Sequence, residues 1–213
     1  MSFPTYMAAN WDTLGPQIVT HLQIVLISLA IAGSLGILSG VIAARSSRFS
    51  TAAVAVTSAI LTIPSFALFG ALAIWLGIGN VPVEVGLILY ALLPILRNTN
   101  TGIRAVDPAI VEAGRGMGMR SDQILRRIEL PLAFPLIIAG LRQATVLVVA
   151  MATVGAAVGS NNLGQPIFAG IRGFDRYAIL SGVLPVVAIG IIADAGLGGV
   201  ARLLSHEREA TTT

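Results

Sequence analysis

Apolar residues run along this chain in stretches long enough to cross a bilayer, and the polar residues gather between them. A helix needs about 20 apolar residues to cover about 30 Å of hydrocarbon. Measured against that length, the pattern predicts spans at about 18–44, 51–78, 83–96, 132–158 and 177–204. The first carries no formal charge after Asp12 until Arg45, and Pro64 interrupts the second. The third is the shortest, with Glu84 at its start and Pro94 near its end. The fourth contains Arg142 and the fifth Asp194. The expectation is an all-α integral membrane protein of about five transmembrane helices, forming one domain over residues 1–213. The polar tail 205–213 is expected to fray.

The arginines orient the spans. Arg45 and Arg48 lie between spans one and two, and Arg97, Arg104, Arg115, Arg120, Arg126 and Arg127 between spans three and four. Arg202 and Arg208 lie at and beyond the end of span five, whereas Arg172 and Arg176 fall in the loop between spans four and five. The positive-inside rule then puts the N-terminus outside and the C-terminus in the cytoplasm. An odd number of spans requires the same separation of the termini.

Composition narrows the function classes. Charged residues make up 11% of the chain and mean hydropathy is +0.88, well away from soluble domains with about 25% charge. The isoelectric point near 10.2 does not point to nucleic acid, because the arginines sit in short gaps between apolar runs. With no cysteine, there is no disulfide, thiolate metal site or thiol nucleophile. His21 and His206 lack partners at metal-ligand spacing, and each reads as a lone polar histidine near a helix end. The N-terminus lacks the basic start of a signal peptide. No GxxxxGK[ST] phosphate loop and no Ser–His–Asp set is present, so any ATP-driven work needs a separate subunit. Neither cofactor nor metal is expected on this chain.

The longest polar stretch, 107–131, is patterned as structure rather than linker. Asp107 suits an N-cap and Pro108 the first helical position, where its missing N–H costs nothing. A short helix to about Met117 follows, and Gly118 can close it in a left-handed conformation. Ser121 offers a second N-cap, before Ile124, Leu125 and Ile128 at helical spacing. The first helix carries the small residues Ala109, Ala113, Gly114 and Gly116 beside Glu112 and Arg115, with Met117 and Met119 at its end. Small residues admit another backbone, and methionine makes adaptable contacts, which suits a helix laid into a groove of a partner. An interfacial lipid helix would need a larger apolar face. Gly114-x-Gly116-x-Gly118 follows no strand and lacks dinucleotide-fingerprint spacing.

Glu112-Ala113-Gly114, Gly118, Ile128, Leu130 and Pro131 together resemble the EAA loop of ABC importer permeases, with Gly114 replacing the second alanine. The resemblance implies that this loop is a coupling helix held in a cleft of an ATPase subunit. It makes Glu112, Ala113, Gly114, Arg115, Gly116, Met117, Gly118, Leu130 and Pro131 the candidate coupling residues. Thr62-Ile63-Pro64-Ser65 and the run from Tyr90 to Thr99 are similar to the osmoprotectant subfamily, which serves glycine betaine, choline, carnitine and related quaternary ammonium compounds. After Gly159, Ser160-Asn161-Asn162-Leu163-Gly164 departs from that subfamily's small, Gly-rich run. The resemblance further implies a multi-pass protein of the bacterial inner membrane with three kinds of partner. These are ABC ATPases carrying ATP and Mg, a second permease chain, identical or related, and an extracellular solute-binding protein. The binding protein would hold most of the selectivity, since an aromatic cage suits such cations and this chain is only 6% aromatic.

Prolines and polar residues inside spans allow two readings. Pro64 and Pro94 free backbone carbonyls, tolerated where they face protein or a watery path, so with Ser65 they either line a pathway or form packing kinks. The candidate pathway residues are Pro64, Ser65, Pro94, Asn98, Asn161 and Asn162. Arg142 and Asp194 would each cost about 2.5–3.5 kcal/mol at mid-membrane. A structural pair or an interfacial position is expected rather than a proton relay. Gly33, Gly36 and Gly40 read as helix-packing contacts. The rival functions are an importer for another small solute such as an amino acid, an ion-coupled carrier, and, remotely, a membrane enzyme.

Overall fold

The computed structural model describes residues 2–209, and every regular element in them is helical. A short α1 (Phe3–Ala9) precedes the long α2 (Trp11–Arg45). A bent pair follows, α3 (Ser47–Thr62) and α4 (Ser65–Leu76), and then α5 (Asn80–Arg104). The polar loop contributes α6 (Pro108–Gly116), α7 (Ser121–Ile124) and a π-turn (Leu125–Glu129) that leads into α8 (Leu130–Ala152). A 3₁₀ turn (Thr153–Val158), α9 (Gly164–Gly173) and α10 (Arg176–Glu209) complete the chain. Residues 210–213, the end of the tail expected to fray, lie outside the described residues.

Among the described residues, four helical stretches are long and apolar enough to cross a membrane, and the bent pair makes a fifth if it counts as one span. α5 is the central element, packed between α2 and α8. Glycine sets the first of these contacts. A Cβ on Gly36 would lie 2.7 Å from Ile95 Cγ2, and one on Gly40 would lie 2.8 Å from Thr99 Cγ2. Close backbone approach of this kind is how helices associate in lipid, where apolar burial supplies no driving force between them. The core around this axis contains Ile24, Phe69, Leu87, Tyr90, Ile95 and Val148, all fully buried.

The first span begins at Trp11 rather than near 18, and spans two and three depart further from the sequence expectation. Span three is longer: α5 continues through Pro94 to Arg104, because the polar side chains past residue 96 find partners. Asn100 Nδ2 donates to Ser50 Oγ at 2.9 Å, and Arg104 Nη2 donates to the Ala43 carbonyl at 3.0 Å. Span two is broken rather than kinked, since α3 and α4 meet at 97°. Pro64 pushes the residue before it out of the helical region, and Ile63 is extended at φ −69°, ψ 129°. Its freed carbonyl accepts the Tyr90 hydroxyl at 2.6 Å, which fastens the break to the core. His21 also differs: it sits well inside α2 and is fully buried.

Candidate functional site

The 107–131 loop folds much as its residues require. Asp107 Oδ1 accepts the Ala109 N–H at 2.8 Å, and Pro108 is the first residue of α6. At the other end, Gly118 adopts φ +81°. The Gly118 N–H donates to the Arg115 carbonyl at 2.9 Å and the Met119 N–H to the Gly114 carbonyl at 3.1 Å, the paired bonds of a Schellman ending. The second cap falls one residue earlier than expected. Ser121 is already helical, and the Arg120 N–H donates to Gln123 Oε1 at 2.8 Å.

α6 has an inner and an outer side. Gly114 is buried, with Ile128, Met119 and Ile124 around the place a Cβ would occupy. Glu112, Ala113, Arg115, Gly116, Met117 and Gly118 are exposed, Met117 by 75%. Neither Glu112 nor Arg115 forms an ion pair among the described residues. The helix therefore presents a small-residue face, an uncommitted carboxylate and a thioether to whatever lies beyond it. Leu130 and Pro131 are half-buried and begin α8, so they position the loop rather than extend that face.

A tie that the sequence reading missed holds this loop to the body. Arg45, the last residue of α2, forms a two-toothed ion pair with Glu129 in the π-turn, and Arg45 Nη1 donates to Glu129 Oε1 at 2.9 Å. Glu129 is only 4% exposed, so the pair replaces the water its carboxylate has lost. The signal was a lone acid in the apolar run from Ile128 to Pro131, which needs a cation close by.

The candidate pathway residues separate into three places. Pro94 and Asn98 line a cavity of about 510 Å³ with Leu61, Arg97, Gln143 and Val146. Asn98 Nδ2 donates to the Pro94 carbonyl at 2.8 Å. Pro64 and Ser65 stand at the break between α3 and α4, Pro64 exposed and Ser65 half-buried. Asn161 is exposed and its Oδ1 accepts from Gln17 Nε2 at 3.3 Å. Asn162 is fully buried. Its Nδ2 donates to the Ala152 carbonyl and to Ser160 Oγ, both at 2.9 Å, and its Oδ1 accepts the Gly164 N–H at 2.7 Å. With its bonds spent on backbone and neighbour, Asn162 pins the turn between α8 and α9.

Arg142 and Asp194, the charges that the sequence puts inside spans four and five, are paired with each other. Arg142 Nε and Nη2 donate to Asp194 Oδ1 and Oδ2 at 2.8 and 2.7 Å, joining α8 to α10. No cluster of His, Asp and Glu among the described residues could hold a metal ion.

Residues 36–206 match the family described as binding-protein-dependent transport system inner membrane component. The chain belongs to this family. It is therefore a multi-pass membrane permease component. The glycine betaine/carnitine/choline transport system permease protein OpuCD of Bacillus subtilis (strain 168) is 38% identical over 94% of this chain and 88% of its own length. The carnitine transport permease protein OpuCB of Listeria monocytogenes is 35% identical over 91% of this chain and 89% of its own. The osmoprotectant import permease protein OsmW of Salmonella typhimurium (strain LT2) is 36% identical over 89% and 90%. Among solved structures, the MetNI methionine ABC transporter in inward-facing conformations contains a chain of the same fold. It has a TM-score of 0.80 at 21% identity, over 96% of this chain and 99% of that one. An amino acid ABC transporter chain superposes with a TM-score of 0.72 at 16% identity, over 97% and 99%.

Proposed function

We propose that this chain is the membrane-spanning subunit of an ATP-driven importer for osmoprotectants of the quaternary ammonium class, such as glycine betaine, choline or carnitine. The observation that carries the reading is near-full-length similarity, at 35–38% identity, to permeases named for those solutes. The geometry of the 107–131 loop supports the mechanism. α6 stands capped at both ends, and the Arg45–Glu129 pair ties its continuation into α8 to the end of α2. A coupling element must move as a unit, because only contacts that differ between two states can shift their balance.

In this account the arginine-rich loops face the cytoplasm and the N-terminus lies outside. Two permease chains enclose the pathway, and each α6 sits in a cleft of an ATPase subunit. Glu112, Ala113, Gly116 and Met117 make the contact, while Gly114, Gly118, Leu130 and Pro131 hold the helix in place. ATP and Mg act on the ATPase. An external binding protein delivers the solute, and approach of the two α6 helices opens the pathway outward. Pro94 and Asn98 line it; Asn162 supports its outer turn.

Reconstitution tests the reading. The permease, with its ATPase and binding protein in proteoliposomes, is expected to take up radiolabelled glycine betaine, choline or carnitine only when ATP is supplied to the ATPase. Uptake of methionine or histidine in preference to all three would replace the substrate class. Uptake independent of ATP would replace the importer with a carrier.

A further inference from the structure

The depth and exposure of the Arg142–Asp194 pair carry a conclusion about which surface of the chain is wet. Arg142 lies about 18 Å along α8 from Leu130, at 1.5 Å per residue. A hydrocarbon core of about 30 Å puts it near mid-membrane. The two-toothed bond places Asp194 at the same depth. Yet the side chains are 42% and 35% exposed in this chain, so the charged groups are not enclosed by it. Two further polar side chains stand nearby on an otherwise mainly apolar surface. Gln143 is exposed beside Arg142, and Arg97 is exposed and without an ion pair among the described residues.

These groups flank two adjoining hollows. The cavity of about 510 Å³ holds Arg97, Asn98 and Gln143, and a second of about 420 Å³ holds Asp194. Val146 lines both, so they form one strip along α8. Acyl chains cannot solvate half-exposed charges or an exposed amide, and intramembrane ionisable groups face a bundle interior or a water-filled cavity. Elsewhere along the middle of α10, Leu184 and Ile192 are exposed and apolar and suit lipid or protein packing.

We infer that the α8 strip from Gln143 to Val146, with Arg97 and the Arg142–Asp194 pair, is the hydrated wall of the translocation pathway at mid-membrane. The inference rests on the importer reading for the word translocation, but hydration of the strip stands on the geometry alone. Pairing keeps the wall close to neutral at Arg142, and Arg97 leaves one uncompensated positive charge on it.

The absence of cysteine makes the test direct. Single variants Gln143→Cys, Val146→Cys, Ile192→Cys and Phe174→Cys are placed in the assembled transporter in proteoliposomes. A cationic, membrane-impermeant methanethiosulfonate is supplied on both faces, with and without ATP. Modification of the permease chain is read by mass. Phe174, 95% exposed, gives the fully wet rate. Gln143→Cys and Val146→Cys are expected to react within about tenfold of it in at least one nucleotide state, and Ile192→Cys at least about 100-fold more slowly. Failure of both strip variants to react in either state, while Phe174→Cys reacts, would show the strip covered by protein or lipid and overturn the inference. Equal reactivity of Ile192→Cys would also overturn it, because wetting would not be confined to the strip. Loss of ATP-dependent uptake by wild type counts against the importer reading instead, and the labelling still decides whether the strip is wet.

Discussion

At Gly118 the backbone holds φ +81°, a conformation in which a side chain with a Cβ is strained by roughly 1–3 kcal/mol. Gly118→Val is therefore expected to loosen the end of α6 and weaken ATPase co-purification, with little change in the melting temperature of the permease itself. That contrast is measured by pull-down beside scanning fluorimetry. Asn162 behaves in the opposite way. Asn162→Ala leaves the Gly164 N–H without its buried acceptor, which costs about 1–3 kcal/mol, so the melting temperature should fall. Gly118 was legible from sequence because its requirement is local: a helix must stop there, and glycine tolerates the left-handed turn. The direction in which Asn162 points was not legible. It depends on where the Ala152 carbonyl and Ser160 hydroxyl come to rest, which only the packed turn decides.

Elements repeat that division. Three apolar runs were readable because length and hydropathy alone select them, and Pro64 marked the fault in the second; the third was read short, at 83–96, because the polar residues past 96 hid the rest of α5. The 97° bend was not readable, since Tyr90 and Ile63 are distant in sequence and meet only when α5 packs. Tyr90→Phe should leave the Ile63 carbonyl unsatisfied and lower stability by about 1–3 kcal/mol. The same logic covers the Arg45–Glu129 ion pair. Removing one partner leaves a charge in a poorly solvated place, whereas removing both does not. Arg45→Gln is expected to reduce the yield of folded protein from membranes more than the double variant Arg45→Gln/Glu129→Gln does, because Glu129 is only 4% exposed. Size-exclusion profiles of the detergent-solubilised chains would show it. Arg45 was visible from sequence as a cation at the membrane edge, but its partner Glu129 emerges only when α2 and the π-turn meet.

For the whole molecule, family and fold leave one mechanical question, which is whether α6 transmits the work of an ATPase. The loop's capped ends, its exposed Glu112, which has no ion pair among the described residues, and its tie through Glu129 to Arg45 all fit a rigid contact element. The wet strip lies about 18 Å along α8 from Leu130, where that helix leaves the loop, so a shift of the loop would move the pathway wall directly. The most direct measurement is co-purification of the detergent-solubilised chain with its ATPase, wild type beside Glu112→Arg. The account predicts that wild type retains the ATPase and that Glu112→Arg loses at least about tenfold of it at unchanged permease yield. Equal retention by the two, with transport also equal, would contradict coupling through α6.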